Sequence, residues 1–197
     1  YLSSMELPAV IVDVKRYGIG LGNVVLGQAD YFQATKGGGH GGYKLPVYAP
    51  ASVQENADFM FKAFDTAEKY RTPVILLSDA AIGQMMGSVE LPAPIEHDIN
   101  KFSWTLKGRD AEHPVGRKMT DVIYYDYAYD DYDPHIRERY RKMHDELQEW
   151  EEVCCDDADI IMVAYGISSR VCKEAIKLGR AEGLKVGLLR PITLWPF

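Results

Sequence analysis

The chain has 197 residues, 47% hydrophobic and 26% charged, which is enough for one globular unit and the beginning of another. Its formal net charge of −7 argues against non-specific nucleic-acid binding, which relies on a basic surface. No apolar stretch reaches the roughly 18 residues that a membrane-spanning helix needs, and the first residues do not read as a signal peptide, so a cytoplasmic protein is expected.

Three cysteines, two of them adjacent at Cys154 and Cys155, supply neither a four-thiolate cluster nor a CxxC pair, and read as reduced structural thiols. The sequence starts at Tyr1 and stops at Pro196-Phe197 directly after an apolar run, so an internal piece of a longer polypeptide is expected.

In chain order, Leu2 to Glu6 reads as a last helical turn halted by Pro8. Ala9 to Val14 is a short, largely apolar run bounded by proline and a glycine cluster, the signature of a strand buried on both faces of a parallel sheet. Lys15 and Arg16 then stand at its carboxyl end, where open parallel sheets bind ligands. A guanidinium there matches a carboxylate or phosphate with two parallel hydrogen bonds. Gly18-Ile19-Gly20-Leu21-Gly22 opens like a dinucleotide fingerprint, but Asn23 breaks the register and no amphipathic helix follows, so that reading is rejected. Gln28 to Thr35 has helical spacing with Ala29, Phe32 and Gln33 expected inward, and Asp30 suits the positive end of the helix dipole. Gly37 to Gly42 is either a surface connection or a backbone surface for another subunit, and it carries His40.

Lys44 to Ala49 is expected to be a short strand, followed by a capping box at Ser52 and Glu55. Ala57, Met60, Phe61, Phe64 and Ala67 recur at helical steps, predicting an amphipathic helix over 53–70. Val74 to Asp79 is the next buried strand, which makes a βαβ crossover and a parallel sheet. Asp79 could orient a ligand or cap the segment after it, and the cap is preferred. From Leu91 to Tyr129 no period is sustained, yet Trp104 and the cluster Tyr124, Tyr125, Tyr127 and Tyr129 argue for a packed strap; His97 and His113 lack metal-ligand spacing. Asp133-Pro134 starts a helix, with Asp133 as N-cap and Pro134 at the first position, and Ile136, Tyr140, Met143, Leu147 and Trp150 inward. A second α/β pattern begins at Ile160, with a turn at Gly166, a helix over 168–180 burying Val171, Ala175, Ile176 and Leu178, and a strand over 186–189. Gly166-Ile167-Ser168-Ser169 could seat an anion on the helix N-terminus.

The segments PAVIVDVKRYGIGLGNVVLGQADYFQATKGGGHGGY and VYAPASVQENADFMFKAFDTAEKYRTPVILLSDAAIGQMMG resemble the alpha subunit of the 2-oxoacid:ferredoxin oxidoreductases, with the branched-chain (2-oxoisovalerate) type the best likeness. The likeness covers residues 1–92 well and 158–197 as a pattern. One departure stands out: the family turn usually reads Arg-Gly-Gly-Pro, whereas here Arg16 is followed by Tyr17-Gly18-Ile19.

The resemblance implies an α/β chain in three parts. Residues 1–92 form the C-terminal part of a parallel-sheet, pyrimidine-type thiamine-diphosphate-binding domain, 93–157 a strap and linker helix, and 158–197 the start of a transketolase C-terminal-like α/β domain. It implies oxidative decarboxylation of a 2-oxoacid with coenzyme A to acyl-CoA, CO2 and reduced ferredoxin. Thiamine diphosphate and Mg²⁺ are shared with a beta subunit, and an iron–sulfur cluster sits on a ferredoxin-like subunit. The glutamate that activates the pyrimidine falls before Tyr1, so this piece alone is expected to be inactive. Arg16 aligns with the arginine that contacts the substrate carboxylate, while Gly18, Gly20, Gln28 and Asp30 are candidates for shaping the pocket or binding cofactor; no metal ligand is assigned. Other readings are a 2-oxoglutarate- or pyruvate-specific member, another thiamine enzyme such as a transketolase or dehydrogenase E1 component, and a noncatalytic interaction subunit.

Overall fold

The computed structural model describes residues 1–20, 24–94, 98–116, 119, 121–122 and 128–197. Its first half contains strand β1 (Ala9–Lys15), helix α1 (Tyr31–Lys36), strand β2 (Val47–Tyr48), helix α2 (Val53–Tyr70), strand β3 (Pro73–Asp79) and the short helix α3 (Ala80–Gly83). After a long connection come helix α4 (Asp133–Leu147), strands β4 (Trp150–Val153) and β5 (Ile160–Val163), helix α5 (Gly166–Ala181), and strands β6 (Val186–Pro191) and β7 (Thr193–Trp195).

The predicted βαβ crossover is present: β2, α2 and β3 follow one another, and β3 runs parallel to both β2 and β1. The first sheet has the order β1-β3-β2-β7, and the second has the order β4-β6-β5. Two strands were not foreseen. β7 joins the first sheet antiparallel to β2, and β4 joins the second antiparallel to β6. The chain therefore returns to its first sheet after building most of the second, which ties the two units together. No helix among the described residues is long and apolar enough to cross a membrane.

Alternation along the inner strands sets two layers. Val47 and Leu77 pack with Ala34, Ala49 and Leu194 on one face, while Tyr48, Val74 and Leu76 pack with Ala63 and Ala67 of α2 on the other. Half of the capping box forms as read, with Ser52 Oγ accepting from Glu55 N at 3.1 Å; the Glu55 carboxylate reaches one residue further back, where Oε2 accepts from Ala51 N at 2.7 Å. Glu55 also binds Arg190, a buried guanidinium that reaches Glu151 as well, so one network links α2, β4 and β6. At the amino ends of β1 and β3, the Glu6 carboxylate lies 3.3 Å from Arg139 and 3.6 Å from Arg71, and so anchors α4.

Several expectations about which face is inward are corrected. Among the described residues β1 lies at the edge of its sheet, paired with β3 alone, and Ile11, Val12 and Val14 are half-exposed. The buried face of α2 is Ala63, Thr66, Ala67 and Tyr70, leaving Phe61 and Phe64 exposed; aromatic side chains overrode the true stripe in the sequence pattern. In α1 the buried residues are Ala34 and Thr35, and Phe32 is exposed. α4 buries Ile136, Arg139, Met143 and Leu147, has Tyr132 rather than Asp133 at its N-cap, and ends before Trp150, which belongs to β4. α5 buries Ser169 and Ile176 and exposes Val171, Ala175 and Leu178. Of the strap, Trp104 stacks on the Arg71 guanidinium at 5.6 Å, whereas His97, Tyr124, Tyr125 and Tyr127 lie outside the described residues.

Candidate functional site at the carboxyl ends of β1 and β3

Parallel pairing sets Lys15 opposite Asp79 at the last register position of both strands. Both are buried, at 0% and 2% side-chain exposure, and Lys15 Nζ lies 3.1 Å from Asp79 Oδ1. The ammonium also donates to the Leu77 carbonyl at 3.3 Å and sits 5.0 Å from the centre of the Tyr165 ring. Burial lowers the Lys15 pKa from its ordinary value, and the Asp79 charge opposes that shift.

Asp79 makes no side-chain cap to α3, correcting the preferred reading. Its Oδ2 instead accepts from the Ile167 amide at 2.7 Å, in the first turn of α5. The helix N-terminus that the sequence marked as an anion seat therefore has an internal anion, the Asp79 carboxylate. Gly166, at φ +57°, makes the approach possible, since a Cβ there would stand 2.1 Å from Asp79 Oδ2.

Gln28 completes the arrangement. Its Nε2 donates to Asp79 Oδ1 at 3.1 Å and to the Tyr165 carbonyl at 3.1 Å, and its Oε1 accepts from Ser168 Oγ at 3.2 Å. One amide thus joins β3 to the start of α5. On its other side Gln28 lines a cavity of about 430 Å³ with Tyr31, Tyr165, Leu194 and Phe197. The Tyr165 hydroxyl is buried without a hydrogen-bond partner among the described residues, and burial raises its pKa well above the ordinary phenol value.

Of the other sequence candidates, Asp30 acts on this cluster through its charge, on Lys15 and on Tyr165. Arg16 directly follows Lys15 and is partly buried. Beyond the strand, Tyr17 N donates to the Val25 carbonyl at 3.0 Å, and Ile19, Val24 and Leu26 are exposed. Gly18 and Gly20 have positive φ. Asp30 is the N-cap residue of α1 without a side-chain cap, and its charge contributes to the raised pKa of Asp13. His40 lies elsewhere, on the wall of a larger cavity of about 850 Å³ with Tyr43, Asp133 and Tyr140.

Asp13 precedes Lys15 by two residues on the same side of β1. Burial first, and Asp30 second, raise its pKa above the ordinary carboxylate value. A folded-state pKa above the unfolded one means that stability is full at low pH and is lost as pH rises through the folded value. Asp13→Asn is therefore expected to raise the urea midpoint at pH 7 and to leave it unchanged at pH 3, which paired titrations at the two pH values would show.

Comparison with known proteins fits this arrangement into a family. Residues 1–153 match the family model described as pyruvate flavodoxin/ferredoxin oxidoreductase, thiamine-diphosphate-binding, and residues 158–197 match that of pyruvate:ferredoxin oxidoreductase core domain II. The chain belongs to the pyruvate flavodoxin/ferredoxin oxidoreductase family. It is 45% identical over its whole length to ketoisovalerate oxidoreductase subunit VorB of Methanothermobacter thermautotrophicus, covering 55% of that protein. It is 33% identical to 2-oxoglutarate synthase subunit KorA of Methanocaldococcus jannaschii, over 98% of this chain and 58% of that one. The chain thus spans somewhat over half the length of these relatives. A 2-oxoglutarate:ferredoxin oxidoreductase from Magnetococcus marinus, solved with 2-oxoglutarate, coenzyme A and succinyl-CoA bound, shares the fold at a TM-score of 0.81 and 23% identity, over the whole chain and 39% of that one.

Arg16 and the half-exposed Val14 stand at the carboxyl end of β1. What sequence reasoning missed is the support beneath them. Lys15 was noted only as a neighbour of Arg16, and Tyr165 and Ile167 were not linked to it. The available signal was a charge of each sign ending two adjacent parallel strands.

Proposed function

We propose that this chain is the alpha-subunit portion of a 2-oxoacid:ferredoxin oxidoreductase that acts on a branched-chain 2-oxoacid, with coenzyme A as co-substrate and ferredoxin as electron acceptor. The 45% identity to a ketoisovalerate oxidoreductase subunit over every part of the chain carries the reading. The proposed complex contains a beta subunit that holds the diphosphate and Mg²⁺ of thiamine diphosphate and a ferredoxin-like iron–sulfur subunit, and it works in the cytoplasm. Thiamine diphosphate, when bound, supplies the stabilisation of negative charge that decarboxylation requires.

This chain's own contribution is binding and orientation. Arg16 meets the carboxylate of the 2-oxoacid, and Val14 gives an apolar wall beside it. Gly18 and Gly20 let the adjoining backbone approach a partner subunit or the cofactor, and Asp30 sets the local charge at α1. A charged hydrogen bond of this kind contributes about 1.5–3 kcal/mol. Arg16→Ala is accordingly expected to raise the KM of the complete enzyme for its 2-oxoacid about ten- to a hundredfold. An unchanged KM would remove Arg16 from the site.

The reaction class is tested on the complete complex by coenzyme A-dependent viologen reduction with 2-oxoisovalerate, 2-oxoglutarate and pyruvate. Reduction driven best by 2-oxoisovalerate is the expected result. Preference for either of the others would move the chain to that substrate class, and silence from all three with cofactor bound would overturn the proposal.

A further inference from the structure

We propose that Asp79 and Gln28 are positioning residues that act through Arg16, clamping the first turn of α5 to the carboxyl ends of β1 and β3 and so fixing the strand end that carries the guanidinium. The inference rests on the reading of Arg16 as the substrate-carboxylate contact.

Three features of the geometry carry it. First, the clamp joins chain segments far apart in sequence: Asp79 reaches Ile167 at 2.7 Å and Gln28 reaches Ser168 at 3.2 Å. Second, each Asp79 oxygen and each end of the Gln28 side-chain amide is engaged with another part of this chain. Their work is mechanical. Third, the clamp connects to Arg16 through one covalent step, because the Lys15 ammonium held by Asp79 belongs to the residue directly before it.

The consequence is a matter of tolerance. A bidentate guanidinium contact loses much of its value when its carrier moves by an ångström, and among the described residues β1 pairs with β3 alone. The Lys15–Asp79 pair adds a side-chain restraint to that pairing, and the Gln28 bridge holds Asp79 in place. They also link the placement of Arg16 to the seating of the second unit, since Tyr165, Ile167 and Ser168 all begin α5 or immediately precede it.

The test is a double-mutant cycle in the complete complex, with KM for the 2-oxoacid and kcat read separately. Gln28→Met leaves the buried ion pair intact and keeps the side-chain volume. It is expected to raise KM about tenfold in the native background and less than twofold when Arg16→Ala is already present. Ser168→Ala, which removes one end of the bridge, is expected to raise KM about threefold, with Ser168→Thr restoring it. Equal increments in both backgrounds, or no increment in the native one, would overturn the positioning role. The single variant Arg16→Ala separates the two levels: if it leaves KM unchanged, the carboxylate contact itself is wrong and the inference goes with it. If Arg16→Ala raises KM while Gln28→Met and Ser168→Ala do not, only the inference fails.

Discussion

Lys15→Met is expected to destabilise the complete subunit by about 3–5 kcal/mol, the range found when one partner of a buried ion pair is removed. Methionine matches the length of lysine without its charge, so the change leaves volume nearly constant and isolates the electrostatic loss. Asp79, at 2% exposure, would keep only the Gln28 and Ile167 donors and would carry its charge without a counter-ion. The cost is not discounted for solvent, since the pair is sealed from it. Asp79→Asn in the same background removes the uncompensated charge and retains an oxygen for the Ile167 amide. The double variant should therefore be more stable than Lys15→Met alone, by roughly 2 kcal/mol. Urea midpoints of the four proteins measure the coupling. A double variant whose loss is the plain sum of the two single losses would show that the pair is not a unit.

How much of this was legible in the sequence depends on whether the signal was local. The Ser52 cap on the Glu55 amide, the crossover from β2 through α2 to β3, and the strand ends at Lys15 and Asp79 are set by neighbouring residues, and they are present as read. The facing of helices was less legible. Phe61 and Phe64 dominate any apolar tally of α2, yet the buried face is built from Ala63 and Ala67, which pack against Tyr48, Val74 and Leu76 of the sheet, together with Thr66 and with Tyr70, which packs against Met143 and Leu147 of α4. β4 and β7 were invisible for a related reason: each is a short strand completed by a partner far away in the chain, Pro191 to Leu188 for β4 and Val47-Tyr48 for β7.

The same distinction explains the site. Arg16 could be singled out from the run before it and from the resemblance. Asp79 could be placed at a strand end, but its partner was misjudged, because a carboxylate before a helical segment ordinarily caps that segment. Here a deeper need prevailed. A buried lysine at the same register height needs a counter-charge, and α5 brings an unsatisfied amide from another part of the chain. The glycine at 166 was read as a turn and an anion seat; the anion turned out to be a side chain of the protein itself.

Gly166→Ala tests that last point and is the second large effect. Two costs coincide at this position. An L-residue at φ +57° is strained by about 1–2 kcal/mol. The new Cβ would also lie 2.1 Å from Asp79 Oδ2, so the carboxylate must withdraw from the Ile167 amide, forfeiting a charged hydrogen bond of about 1.5–3 kcal/mol. Together they predict a loss of roughly 2.5–5 kcal/mol. Gly183→Ala is the control, because that glycine is also left-handed, at φ +88°, with nothing within 4 Å of its would-be Cβ. It should cost only the backbone strain, about 1–2 kcal/mol. The difference between the two variants measures how tightly the carboxylate is pressed into the helix N-terminus. If both glycines cost the same, Asp79 is not held there and the second unit is seated by packing alone. A larger loss at Gly166, accompanied by a raised KM for the 2-oxoacid in the complete complex, would connect the seating of α5 to the chemistry at the end of β1.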